Sequence, residues 1–193
     1  MNDLALNHAT TALLLMDLQS GIVASNPDAD AFLAELRRAR EAARRAGLTV
    51  GYVRVALTAE DAAAAPASNP TFSAAAASGR LDDAHPATRI DARIEPAAGE
   101  IVVRKSRFGA FSTTDLREQL VARGVDTLVL AGIATSGVVL STVRDASDRD
   151  FRVVVLKDGC FDRDEEVHRV LTEKVFPKQA EVVSIDEFVE ALG

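Results

Sequence analysis

One cysteine, Cys160, occurs in 193 residues. A lone thiol closes no internal disulfide, builds no zinc cluster by itself, and suits a reducing cytoplasmic location. Histidine is nearly as scarce: His8, His85 and His168 are dispersed along the chain and read as surface or structural residues rather than metal ligands. Basic blocks are missing. Lysine and arginine number 22 against 29 acidic residues, which leaves a net charge of −7 and a pI near 5.0. That balance argues against nonspecific binding to nucleic acid or to an acidic membrane. No apolar run approaches the roughly 20 residues that a membrane-spanning helix needs. The first apolar run is interrupted by Asp17 before any small-residue cleavage pattern, so no secretory leader is expected.

What is present is ordinary for a soluble protein: 48% apolar and 26% charged residues in a length that makes one domain, residues 1–193, with a real core. Apolar runs at 11–16, 48–57, 100–104, 127–131, 151–156 and 181–185 read as strands. Amphipathic segments between them read as helices, the clearest at 28–46 with Phe32, Leu33, Leu36, Ala39 and Ala43 on one face and Gly47 as its stop. Strand and helix alternate six times, which implies an α/β fold with a parallel sheet covered on both faces. Residues 58–86 break the rhythm. Rich in Ala, Ser, Pro and Asn, they predict a long surface excursion with a short helix around Ser73–Ser78, and Asn69, Phe72 and Arg80 are its most interesting side chains.

In an open parallel sheet, ligands bind at the carboxyl ends of the strands. Three strand ends stand out. The stretch DTLVLAGIATSGVVLSTVRDASDR, 126–149, runs from a strand through a glycine-punctuated corner, 132–137, into a helix carrying Val138, Val139, Thr142, Val143 and Ala146. Amides at such a helix start suit an anion or a polarised carbonyl. Asp17 follows the first strand, either as a functional carboxylate or as a local cap. Lys105 ends the third, either reaching the same crevice or lying on the surface. Burial would raise the pKa of Asp17 and a neighbouring Lys105 would lower it.

This ordered set resembles the isochorismatase-like hydrolases, the cysteine hydrolase superfamily that includes nicotinamidases, N-carbamoylsarcosine amidohydrolases and isochorismatases. LLLMDLQSG is similar to the motif with the family's catalytic aspartate, VVRKSRFGAFSTTDL to the lysine motif, LVLAGIATSGVVLSTVRDA to the motif that normally holds the cysteine, and VVVLKDGCFDRDEEVH to its continuation. The resemblance covers nearly the whole chain. It implies a three-layer α/β/α sandwich around a six-stranded, mostly parallel sheet. It also implies catalytic roles for Asp17 and Lys105, a non-proline cis peptide between Ile133 and Ala134, and an oxyanion site built from the backbone of Ile133, Ala134, Gly137 and Val138. Gln19, Asn69, Phe72 and Phe111 are placed around the substrate.

The chain departs from the pattern at one position. Val138 stands where the family has its nucleophilic cysteine, and valine can form no acyl-enzyme. The isochorismatase branch also lacks the cysteine and hydrolyses a vinyl ether with the aspartate as acid/base group. The expectation is therefore a hydrolase of a small metabolite, an enol ether or an amide, working from an Asp/Lys site. The alternative is a catalytically silent member that binds a small molecule or serves as an oligomeric partner. Cys160 follows a different strand and reads as a small buried hydrophobe; Ser136 reads as a helix cap and Ser141 lies one turn further on. Zinc-using relatives carry an aspartate and two histidines after the second strand, where this chain has Ala56-Leu57-Thr58-Ala59-Glu60-Asp61, so neither metal nor other cofactor is expected. A homo-oligomer, dimer or tetramer, is implied by the resemblance.

Overall fold

β1 (Thr11–Met16) is buried at every residue, the pattern of a strand covered on both faces rather than one. In the computed structural model, which describes residues 4–193, it is one of two central strands of a six-stranded sheet. A one-turn helix α1 (Ser20–Val23) and the long α2 (Ala29–Arg45) lead to β2 (Thr49–Val55), and the excursion contributes α3 (Ala59–Ala63) and α4 (Pro70–Ser78). β3 (Ile101–Lys105), α5 (Leu116–Val121), β4 (Thr127–Ile133), a wide π turn at Thr135–Val139 and α6 (Leu140–Ser147) follow. The chain closes with β5 (Arg152–Phe161), α7 (Glu165–Val170) continued by a second wide turn at Leu171–Val175, β6 (Glu181–Val183) and α8 (Ile185–Ala191).

The strand order is β3-β2-β1-β4-β5-β6, and every pairing is parallel. Two cores flank the sheet. Leu13 and Leu15 of β1 join Leu33, Leu36, Ala39 and Phe188 under α2 and α8. Ala12, Leu14 and Met16 point the other way, to Leu120, Val143 and Leu171 beside α5, α6 and α7. The alternation is the period of two of a pleated strand. Truncating a fully buried leucine such as Leu36, 0% exposed, would cost about 2–5 kcal/mol.

The chain winds outward from β1 in one direction and from β4 in the other, so the order reverses between these two strands. That reversal opens a crevice at their carboxyl ends, the usual ligand position in such sheets. A third apolar cluster sits there, with Val55, Leu57 and Phe72 packed against Ile22, Ala75 and Leu81. The excursion is more ordered than its composition predicts. Thr58 and Asp61 form a reciprocal capping box on α3, and Asn69 caps α4 ahead of a proline in its first turn.

β5 also differs from the expected 151–156. Its pairing with β4 slips between Leu130 and Gly132, then resumes with Cys160 and Phe161. The slip leaves extra residues in β5 and carries the chain past its apolar run to Asp162, beside the corner that follows β4.

Candidate active site

Asp17 is the first residue after β1. It adopts φ 55°, a left-handed conformation that aspartate tolerates better than most side chains, and its N–H donates to the Val53 carbonyl at 2.7 Å. The turn aims the carboxylate into the crevice. Lys105 ends β3, and β2 lies between β3 and β1. The lysine stem and the aspartate side chain therefore reach toward each other across the end of β2, from strands about two spacings of some 4.8 Å each apart. Nζ donates to Asp17 Oδ2 at 2.8 Å and to the Arg107 carbonyl at 3.1 Å. Lysine is almost never fully buried without a partner; here it is 1% exposed and the aspartate 5%.

The second carboxylate oxygen, Oδ1 of Asp17, is buried without a hydrogen-bond partner. Burial dominates the electrostatics: it pushes the carboxyl up to about 6, against the opposing pull of the Lys105 charge and hydrogen bond. Of the two opposing effects expected from the sequence, desolvation wins. The result is an acid that exchanges its proton near neutrality, with one oxygen held by Lys105 and the other without a partner.

The 132–137 corner forms the facing wall. Gly132 has φ 152°, and a Cβ there would lie 2.2 Å from the Met16 carbonyl oxygen, so only glycine permits this approach of β4 to β1. The peptide between Ile133 and Ala134 is cis. The Gly137 N–H donates to the Ala134 carbonyl at 3.0 Å and is therefore already engaged. Ser136 does not cap the helix through its own side chain. Its N–H and hydroxyl both donate to Asp162 Oδ2, at 2.8 and 2.6 Å. The Thr135 hydroxyl meets His168 Nδ1 at 2.8 Å, and burial lowers the pKa of that imidazole. Two side chains from the β5–α7 segment, Asp162 and His168, thus pin the corner.

Asp17, Lys105, Ile133, Ala134, Gly137 and Val138 line one cavity of about 380 Å³, near the lower end of the roughly 300–1,000 Å³ typical of small-molecule sites. Val138, 2% exposed, presents its branched hydrocarbon there. Phe72 closes another side, edge-on to Phe108 at 5.1 Å and beneath the Arg107 guanidinium at 5.2 Å.

Three residues placed around the substrate by resemblance lie elsewhere. Gln19 is wholly buried, and its amide is fully engaged: Nε2 donates to the Val55 and Thr88 carbonyls at 2.8 and 2.7 Å, and Oε1 accepts from the Val55 N–H at 2.7 Å. It ties the β1 loop, β2 and the end of the excursion together. The Asn69 side chain accepts from the Phe72 N–H at 3.3 Å, so it seats Phe72 rather than lining the cavity. Phe111 packs in the core on the α6 side, stacked on Phe151 at 5.9 Å. Its strand-end loop was the right neighbourhood, but the ring turns under the sheet.

Conversely, the cavity wall includes Ile22, Phe108, Phe161 and Asp162, none of which the residue patterns marked as site residues. Phe108, 47% exposed, was a usable signal: a large apolar side chain left in water beside Lys105. Cys160 is absent from that wall among the described residues. It is 5% exposed, and burial pushes its thiol up to about 12, far from a reactive thiolate.

No group of three or more His, Cys, Asp or Glu among the described residues could hold a metal ion, and no helix there is long and apolar enough to cross a membrane.

Comparison with known proteins gives one consistent picture. The family model for the isochorismatase domain matches residues 11–187. An uncharacterized isochorismatase family protein, YecD of Escherichia coli O157:H7, is 35% identical over 192 residues, covering 98% of this chain and all (100%) of the relative. N-carbamoylsarcosine amidase of an Arthrobacter species is 30% identical over 90% of this chain and 66% of its own length. A solved cysteine hydrolase from Pseudomonas syringae pv. phaseolicola 1448A superposes with a TM-score of 0.85 over 97% of this chain and 94% of that one; at 21% identity it bears on the fold alone.

Proposed function

The chain belongs to the isochorismatase domain family, and from that premise we propose that it hydrolyses a small metabolite, an enol ether or an amide, with Asp17 and Lys105 and without a cysteine nucleophile. One observation carries the reading. Asp17 lines the cavity with one oxygen held by Lys105, its other oxygen buried and unpartnered, and a pKa near 6.

An acid of that strength suits the enol ether best. Protonated Asp17 gives its proton to the alkene carbon, and the ether oxygen stabilises the resulting oxocarbenium ion. Water adds to the cationic carbon, and the Asp17 carboxylate takes back a proton from it. The hemiketal then breaks its C–O bond to release an alcohol and a ketone. Lys105 keeps the carboxylate oriented throughout and supports it in the step where it is charged. For an amide, the carboxylate form of Asp17 draws a proton from water as the water attacks the carbonyl, and backbone amides of the corner at 133–138 serve the developing oxyanion. The tetrahedral intermediate then breaks its C–N bond, Asp17 returns the proton to the departing nitrogen, and a carboxylic acid and ammonia or an amine are released. The name of the Arthrobacter relative, an amidase, keeps this second substrate class in the proposal. Val138 favours the enol ether, because no acyl-enzyme can form on it.

A panel of isochorismate-like enol ethers and small amides tests the proposal, with wild type compared to Asp17→Asn. Turnover by the wild type that vanishes in the variant, with unchanged circular dichroism, is the expected outcome. Undiminished turnover by the variant would end the mechanism. Ligand-induced rises in melting temperature without turnover by either protein would favour the silent, ligand-binding reading that Val138 also permits.

A further inference from the structure

Six charged side chains line the cavity: Arg80, Lys105, Arg107 and Arg163 against Asp17 and Asp162. The formal balance is two positive charges in a chain whose net charge is −7. Both acids are already engaged, Asp17 by Lys105 and Asp162 by Ser136. Arg107 is engaged as well, donating to the Ser106 carbonyl at 2.6 Å and lying over the Phe72 ring.

Arg80 and Arg163 differ. Both are exposed while lining the cavity, so they stand at its mouth with Asp17 at its floor. They arrive from separate segments, Arg80 from the turn after α4 and Arg163 from the loop after β5. Among the described residues neither guanidinium meets a carboxylate, whereas Arg54, Arg93 and Arg104 are paired with Asp83, Asp91 and Asp61. Between mouth and floor the wall is apolar, formed by Ile22, Phe72, Leu81 and Phe161.

Resting on the catalytic reading above, we propose that the substrate is an organic anion whose charged head group is held at the mouth by Arg80 and Arg163, with an apolar body reaching down to Asp17. Guanidinium groups suit carboxylate and phosphate because their paired N–H donors match the spacing of the anion's oxygens. Anion capture at the mouth also sets orientation. With its head group held at the mouth, the molecule presents its other end to Asp17, so the reacting bond lies at that end. Arg80 and Arg163 are specificity-determining residues in this account.

The test is binding, which requires no turnover. Titration calorimetry would compare small aryl and alkyl carboxylates and phosphate monoesters with their uncharged amides and alcohols. At least one anion series should bind about tenfold more tightly than its neutral counterparts at low salt, and the preference should shrink as sodium chloride is added. Whichever series wins identifies the head group. The Arg80→Gln/Arg163→Gln double variant should lose the preference while retaining the wild-type melting temperature, since neither side chain is paired. Asp17→Asn should keep it. If no anion outbinds its neutral analogue, or if the double variant keeps the full preference, the anion site is refuted while hydrolysis by Asp17 still stands.

Discussion

Lys105→Met is the perturbation that isolates the buried ion pair. In the wild type, burial places the Asp17 carboxyl near 6 instead of 3.8. A folded-state pKa above the unfolded value means that the stability this group contributes is whole below about pH 4 and is lost as pH rises through 6. The shift of about two units corresponds to about 3 kcal/mol across that window. Lys105 is what stops the carboxyl from rising further, because its charge and its 2.8 Å hydrogen bond both favour the ionised form. Methionine fills similar volume and removes both. The carboxyl of the variant must then take its proton at a higher pH, and stability continues to fall above pH 6 by about 1.4 kcal/mol per pH unit until the new pKa is passed. Breaking a buried pair from one side typically costs about 3–5 kcal/mol in total, so the variant should be only mildly destabilised at pH 5 and severely so at pH 8. Urea denaturation of both proteins at pH 5, 6.5 and 8 measures the difference directly. A loss of stability that is equal at all three values would refute the reasoning, because it would mean that Lys105 contributes packing rather than charge.

Other consequences follow from the same geometry. Gly132→Ala should destabilise the protein by about 3 kcal/mol or more, because the new Cβ meets a backbone carbonyl at 2.2 Å; chemical denaturation reads it, and a loss below 1 kcal/mol would contradict the close approach of β4 to β1. Gln19→Ala strips partners from the Val55 N–H and from two carbonyls and should cost about 2–4 kcal/mol, seen as a lowered melting temperature; a melting temperature unchanged from wild type would show that Gln19 is not the structural tie described. Cys160 should resist iodoacetamide at pH 8 in the folded protein and react after denaturation, as followed by mass spectrometry, and native labelling with loss of turnover would restore a thiol mechanism.

The strands were legible wherever burial on both faces leaves an unbroken apolar run, as in β1 and β4. Asp17 and Lys105 were legible because a charged residue directly after a buried strand has few places to go but the crevice. The rest depended on direction, which residue type does not encode. Gln19 and Phe111 sit in the expected loops but turn inward, one to backbone groups and the other to Phe151. The end of β5 was hidden because Lys157, Asp158 and Gly159 interrupt its apolar pattern, and the slip that carries Asp162 to Ser136 is set by pairing with β4. The excursion was underestimated for a related reason: its helices are fixed by caps at Thr58 and Asn69 more than by any apolar periodicity.

The central claim is that the Asp17 carboxyl, tuned by burial and Lys105, is the proton donor of the reaction. The pH dependence of kcat/KM on an enol-ether substrate, measured after Cys160 has been replaced by serine, tests it most directly. The account predicts activity that persists without the thiol and falls as pH rises through about 6, where the acid gives up its proton. Activity that disappears with the thiol, or that is flat from pH 5 to 8, would contradict it.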